Sequence, residues 1–458
     1  MGYVRARIEH MSEMVGLLDQ RVSARAALAS AMANLGPMLD LESGPADVGG
    51  RADIDLIRAL EDVKNAACAV QAVVAVRFAR TQRAEQARCG VPAARVGQGV
   101  AEQVALARRE SPHAGAIFLG MATMLVAEMP RTLAAMSRGV LSEYRARLVV
   151  QETSCLTREA RGEIDERVCG DLARLETLGT RRLGNLVRGE AARRDPAGVA
   201  DRLGHAATER FVSLRPAPDC MTRLTALLPV AQGVSVLAAL TRAADAARAT
   251  GEPRTRGQVM ADELVVRVTG QTSPDAIPIA LHLIMPADAI LSGGTGDGDG
   301  AGDDPARVLG WGPVPDRVAR RLVGQAPRLG SWIRRLYAAP SGGLVAMESR
   351  RRLFPHGLGE FITIRDDICR TPFCDAPIRH LDHITPNADG GETSAANGQG
   401  LCERCNHAKQ ARGWTARQHN DEGAGGVPTN RHRADSRHEV TITTPTGHRY
   451  RSPSPGLS

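Results

Sequence analysis

Along the first 250 residues, apolar side chains recur every three or four positions, with Ala, Leu, Arg and Glu frequent throughout. That spacing lays an apolar stripe along one side of a helix, so the region is expected to be a series of amphipathic helices. Breaks fall where Gly and Pro cluster, near Gly36-Pro37, Gly44-Pro45, residues 90–92 and residues 251–253. Two helix starts are legible. Ser142 is an expected N-cap, followed by Glu143 and an apolar face of Tyr144, Leu148 and Val149. Asp195-Pro196 places an acceptor at the cap and proline at the first helical position. The two most apolar stretches are residues 114–127 and 224–240. The first is too short to span a bilayer, and Pro229, Gln232 and Gly233 interrupt the second. Both read as buried helices.

The pattern changes after residue 270. AIPIALHLIM, residues 276–285, is β-branched enough for a strand, with His282 as a structural histidine. SGGTGDGDGAGDDP, residues 292–305, lacks the glutamate that closes a calcium-binding EF-hand loop and reads as flexible linker. Residues 310–322 suggest a turn and a short helix. Beyond Arg417, a mixture of Gly, Pro, Ser, Arg and His predicts a poorly ordered basic tail. The expected division is a helical region over 1–95, a helical domain over 96–270, and a segment of strand, linker and short helices over 271–345. A small domain follows over 346–416, and the tail covers 417–458.

Composition changes this picture little. The hydrophobic share of 43% suits a soluble globular chain, and a net charge of +7 fits a polyanion partner no better than it fits a mildly basic protein. MGYVRARIEHMSEM has no apolar core of a secretion signal, so the expected location is the cytoplasm, with no membrane partner. The cysteines are more telling. Cys68, Cys89, Cys155, Cys169 and Cys220 lack motif spacing and are expected as buried free thiols. Cys369 and Cys374 enclose four residues, and Cys402 and Cys405 enclose two. Short loops of this kind turn both thiolates of a pair toward one ion, and two pairs complete a tetrahedral Cys₄ site. With every position filled by protein, the expected Zn²⁺ is structural. Such binding supplies about 10–16 kcal/mol of apparent free energy, enough to hold a small domain with little core.

Between and around these pairs lie Leu381-Asp382-His383-Ile384-Thr385-Pro386, the Gly390-Gly391 turn, Asn397, and Cys405-Asn406-His407-Ala408-Lys409. This order resembles the HNH endonuclease family, and Asn at the third position is similar to its HNN variant. The resemblance implies a ββα-metal fold with Asp-His at the end of the first strand, Asn after a glycine turn, and Asn406 at the start of a helix. A register with His407 as the ligand is the alternative. Upstream, residues 124–270, including LTREARGEIDERV and GEPRTRGQVMAD, resemble the domain of unknown function 222 of the actinobacterial 13E12 repeat family. Residues 336–379 resemble the bridge between the two domains in that family. The fold class that follows is a mainly α N-terminal region with a small β-containing segment, plus a C-terminal ββα-metal, zinc-stabilised HNH module.

Residue chemistry then assigns roles. His383 accepts a proton near neutral pH and suits a general base acting on water. Asp382 and Asn406 offer hard oxygen ligands for catalytic Mg²⁺ or Mn²⁺. Asn397 is expected to orient the loop that holds His383. Lys409, Arg370 and Arg379 are the candidate phosphate contacts, and Trp414 is expected to pack the domain shut. One difficulty stands: neighbours on a strand point to opposite faces, so Asp382 and His383 share a site only where the strand ends. Pro386 fits such an exit. The expected activity is phosphodiester hydrolysis in DNA. The alternative is a zinc-stabilised nucleic-acid-binding module without catalysis.

Overall fold

The computed structural model describes residues 26–33, 50–271, 283–284, 306–325, 348–349, 353–418 and 438–454. The Gly36-Pro37 and Gly44-Pro45 breaks, His282 and the 292–305 segment lie outside these. By packing the chain divides into residues 1–66 and 67–458. Of the first unit, residues 26–33 are helical, as is the start of helix α1 (Gly50–Arg88), which continues into the second.

The second unit opens with a helical bundle. Helices α2 (Val100–Arg108), α3 (Pro112–Glu128), α4 (Pro130–Ser137), α5 (Glu143–Glu152), α6 (Arg158–Cys169), α7 (Leu172–Thr177), α8 (Thr180–Arg194) and α9 (Pro196–Thr208) surround one apolar core. The stretch expected as a buried helix, residues 114–127, forms α3 and buries Phe118, Leu119, Met121, Ala122 and Leu125. A glycine sets how closely α3 meets α2. A Cβ on Gly115 would stand 2.4 Å from the Ala105 Cβ, so only glycine allows this approach. Ser142 caps α5 by accepting from the Arg145 amide, and Asp195 caps α9 by accepting from Gly198. The expected face of α5 needs correction. Tyr144 is 69% exposed and Leu148 half-buried, whereas Val149 is buried as expected, together with Ala146 and Val150. Aliphatic side chains at the spacing of one turn win the core, while the phenol keeps its hydroxyl in water.

A hairpin follows, β1 (Phe211–Ala217) paired with β2 (Met221–Leu227). Helices α10 (Val230–Ala249) and α11 (Arg256–Thr269) come next. The second apolar stretch is therefore not one buried helix. It begins in β2, is divided by Pro229, and exposes Leu224, Leu227, Val230, Val234 and Leu237. Cys220 is likewise exposed, on the hairpin turn at φ +58°, rather than buried. Cys169 is buried, and Cys68, Cys89 and Cys155 are half-buried. Residues 309–311 turn, and α12 (Asp316–Gln325) follows, in line with the expected turn and short helix. Two short strands lie on either side of that turn, β4 (Arg307–Val308) and β5 (Gly312–Pro313), and β4 also pairs with β3 (Leu283–Ile284).

The C-terminal module is built from β6 (Glu348–Ser349), α13 (His356–Asp366), β7 (His380–His383), β8 (Thr393–Ser394), β9 (Gly398–Leu401) and α14 (Glu403–Lys409). Strands β7 and β9 run antiparallel, with Asp382 opposite Gln399 and His383 opposite Gly398. A second sheet joins β10 (Thr415–Gln418), β11 (Glu439–Thr443) and β12 (Arg449–Pro453). The last two correct the expectation of a disordered tail. Within Glu439-Val440-Thr441-Ile442-Thr443, Val440 and Ile442 are buried and pack on Ile384, Trp414 and Ala416. The period-2 alternation of a half-buried strand is present there and overrides the polar bias of the surrounding composition. Trp414 packs this module, as expected. Among the described residues, no single helix is long and apolar enough to cross a membrane.

Candidate functional site

The framework of the site is electrostatic. Asp366, 0% exposed at the end of α13, accepts from Arg365 Nε at 2.8 Å and from the Gly400 amide at 2.8 Å. Arg365 in turn donates to the Ala395 and Gly398 carbonyls, so the pair locks β9 to the end of α13. Arg370 lies 3.8 Å from the same carboxylate. It was expected at phosphate, and the structure corrects this. The side chain is 2% exposed and donates to the carbonyls of His438 and Ser452, bracketing the β11–β12 hairpin. Burial pushes its guanidinium down to about 10. His438 is pushed down to about 4, first by burial and then by Arg365, and its Nε2 meets the Ala396 carbonyl at 2.8 Å.

Four sulfurs converge. The Sγ atoms of Cys369, Cys374, Cys402 and Cys405 all lie within 4.8 Å of one another, and all four residues are buried. Cys374 Sγ is 3.6 Å from Cys402 Sγ and 3.5 Å from Cys405 Sγ. A tetrahedral zinc with Zn–S near about 2.3 Å sets its sulfurs about 3.8 Å apart, so the donor set and spacing fit one such ion. Disulfide sulfurs stand at about 2.0 Å, far closer than these. Cys402 is also the N-cap of α14 and accepts from the Cys405 amide at 3.4 Å. Hydrogen bonds among the four thiols push Cys402 and Cys369 toward thiolate and push Cys374 and Cys405 up.

Strand β7 carries the next two candidates and turns them to opposite sides. Asp382 pairs with the Lys409 ammonium of α14, which also donates to the His383 carbonyl. Lys409, expected at phosphate, is thus engaged by the carboxylate expected to hold a metal. His383 is buried on the other side. Its Nε2 lies 2.8 Å from Thr393 Oγ1, and its ring meets that of Phe354 at 4.5 Å between centroids. Gly398 opposite makes this space, since a Cβ there would stand 2.9 Å from Phe354 and 2.4 Å from Ile362.

Asn397 ties the connecting loop. Its Oδ1 accepts from the Thr385 amide at 2.8 Å, and its Nδ2 donates to Thr385 at 3.0 Å and Glu392 at 2.7 Å. Its carbonyl accepts from Ile384, the residue after His383, at 2.7 Å. Asn406 is one helical turn before Lys409, on the same face of α14. Its Oδ1 is buried with no hydrogen-bond partner among the described residues. That orphaned acceptor is the kind of oxygen a hard cation takes, whereas the Asp382 carboxylate is already paired with Lys409. His407 is exposed, and its carbonyl accepts from Gln98 Nε2 at 2.8 Å. Arg379 is exposed and open to a polyanion.

Sequence reasoning missed Thr393, Phe354 and Asp366. Thr393 and Phe354 reach His383 from 10 and 29 positions away, with no motif to announce them. Asp366 abuts Arg365 in the chain, and an adjacent opposite-charge pair before the first cysteine was the one available signal.

Comparison with known families matches residues 367–412 to the HNH endonuclease model and residues 57–366 to a domain of unknown function, DUF222. The second match reaches well outside the helical range expected from the sequence, taking in α1 at one end and α13 at the other. No curated protein and no solved structure matches. With a match over more than half its length, the chain belongs to the DUF222 family, and it carries an HNH endonuclease domain after that region.

Proposed function

We propose that this protein is a metal-dependent endonuclease that hydrolyses phosphodiester bonds in DNA. The observation that carries this reading is the coincidence of two features. Asp382, His383, Asn397 and Asn406 all fall within the segment matched to HNH endonucleases, and that segment is wrapped around four converging cysteines. The cysteine site would hold Zn²⁺ as a structural staple, a role suited to a reducing cytoplasm where thiols stay unpaired. Asp382 and Asn406 would hold Mg²⁺ or Mn²⁺, which as a Lewis acid supplies charge stabilisation at the scissile phosphate.

The remaining steps belong to side chains. His383, the last residue of β7, would take a proton from the attacking water once the strand end bends to bring its ring round to the Asp382 side. The tautomer with Nε2–H toward Thr393 puts the ring lone pair on Nδ1, and the bond to Thr393 persists when the ring becomes charged. Phe354 fixes the ring plane. Asn397 holds residues 384–392 so that the imidazole keeps its aim. Lys409, paired with Asp382 in this structure, would be free to contact a phosphate oxygen were Asp382 to hold a cation, and Arg379 would add a contact to the backbone.

The Lys409–Asp382 ion pair favours a second reading, in which lysine replaces the catalytic cation and the module only binds nucleic acid. A nicking assay on supercoiled plasmid with a metal series separates the two. Cleavage is expected with Mg²⁺ or Mn²⁺, falling about 10²–10⁴-fold in His383→Ala, with bound zinc measured in both proteins. Retained plasmid binding without nicking at any metal would establish the second reading.

A further inference from the structure

Helix α14 is seven residues long. Isolated helices shorter than about 12–15 residues are marginal in water, so its position must be imposed from outside. Cys402 and Cys405 secure only its first turn. The rest of the helix, which carries Asn406 and Lys409, is held on one side by the Lys409 contacts to β7 and on the other by the helical domain. Gln98 Nε2 donates at 2.8 Å to the His407 carbonyl in the last turn. Glu102 of α2 pairs with Arg404 at 2.8 Å. Just beyond the helix, Arg412 donates to the Cys89 carbonyl at 2.7 Å.

These contacts are built on prepared ground. Gln86 of α1 accepts from the Gly97 amide at 2.6 Å and donates to the Gln98 carbonyl at 2.9 Å. Arg95 donates to Gln98 Oε1 at 3.1 Å, which aims the Gln98 amide nitrogen outward. The close packing of α2 on α3 at Gly115 fixes Glu102 in turn. A cavity of about 20 Å³ lies at this junction, lined by Glu102, Leu106, Gln399, Lys409 and Trp414 among others. Gln399 is 1% exposed, and neither atom of its amide has a partner among the described residues. Its register partner is Asp382, so both side chains rise from the same face of the β7–β9 pair. The helical domain therefore closes over the metal-facing side of the module.

We propose that the DUF222 region is a working part of the nuclease site, with Gln98 and Glu102 as positioning residues that hold α14 in register with β7. The assignment rests on the nuclease reading above. Tilting α14 about its cysteine end would carry Asn406 and Lys409 away from Asp382, and a misplacement of about 1 Å can cost about 10²-fold in rate.

The test uses the full chain in three forms: wild type, Gln98→Ala with Glu102→Ala, and Arg404→Ala, which breaks the same ion pair from a half-exposed position without touching the bundle. Cobalt substituted at the cysteines reports an intact staple by its absorption spectrum. Hydrogen exchange reports the amides of α14. Both altered forms should keep the cobalt spectrum. The double variant should exchange α14 amides about tenfold faster, with the single variant shifted in the same direction. Nicking kcat should fall about tenfold to a hundredfold with KM held. Wild-type exchange in both forms, or faster exchange with wild-type kcat, would overturn the proposal. A wild-type chain that fails to nick with every metal tried would sink the nuclease reading itself, a result seen before any substitution is compared.

Discussion

Single residues near a motif divide by what surrounds them, and sequence shows only part of that. Asp382, His383, Asn397 and Asn406 were legible because their chemistry and order are local to one segment. Arg370 shows the opposite case. It sits beside Cys369, yet its partners lie 68 and 82 positions later, and its role is to anchor rather than to read phosphate. The buried Arg365–Asp366–Arg370 cluster gives the sharpest residue-scale prediction. Asp366→Ala leaves two buried guanidinium groups without their carboxylate, and removing one partner of a buried ion pair costs about 3–5 kcal/mol. Urea unfolding should show that loss. Asp366→Glu, which keeps the charge, should lose less. A stability change within a few tenths of the wild type would show that the cluster carries no weight.

Elements were legible where their determinants are short-range. Caps at Ser142 and Asp195 follow from a side chain and an amide three residues on. The β1–β2 hairpin was missed because Leu224 and Leu227 were absorbed into an apolar run, although Asp219 and Cys220, both at positive φ, mark a tight turn. The strands β11 and β12 were hidden by a polar composition, since only Val440 and Ile442 face inward. Helix α14 is the element that the proposed zinc would support most directly, because Cys402 caps it and Cys405 lies in its first turn. Stripping zinc with a chelator should release about one equivalent per chain and abolish the ordered C-terminal module, as about 10–16 kcal/mol of metal binding is withdrawn. The bundle of α2 to α9, with its own core, should keep its helical circular dichroism. Cys405→Ser should behave like the chelated protein. A chain that melts identically with and without chelator would remove the staple from the account.

At the scale of the whole molecule, the family boundary and the physical boundary differ. The nuclease match ends at residue 412. The packing does not, because Ile384, immediately after the candidate base, is covered by Val440 and Ile442. A chain ending at residue 413 should therefore unfold at lower temperature than one ending at residue 454, with Arg370 stripped of both its carbonyl partners, and calorimetry would record the difference. Equal melting temperatures would mean that the last sheet is ornamental. The grip of Arg370 on His438 and Ser452 has a practical corollary for anyone isolating the C-terminal module. Trimmed to its recognisable signature, the module is left with a bare cation in its floor. A piece that keeps both carbonyls must run through Ser454, and without the helical domain it still lacks Gln98 and Glu102 against α14.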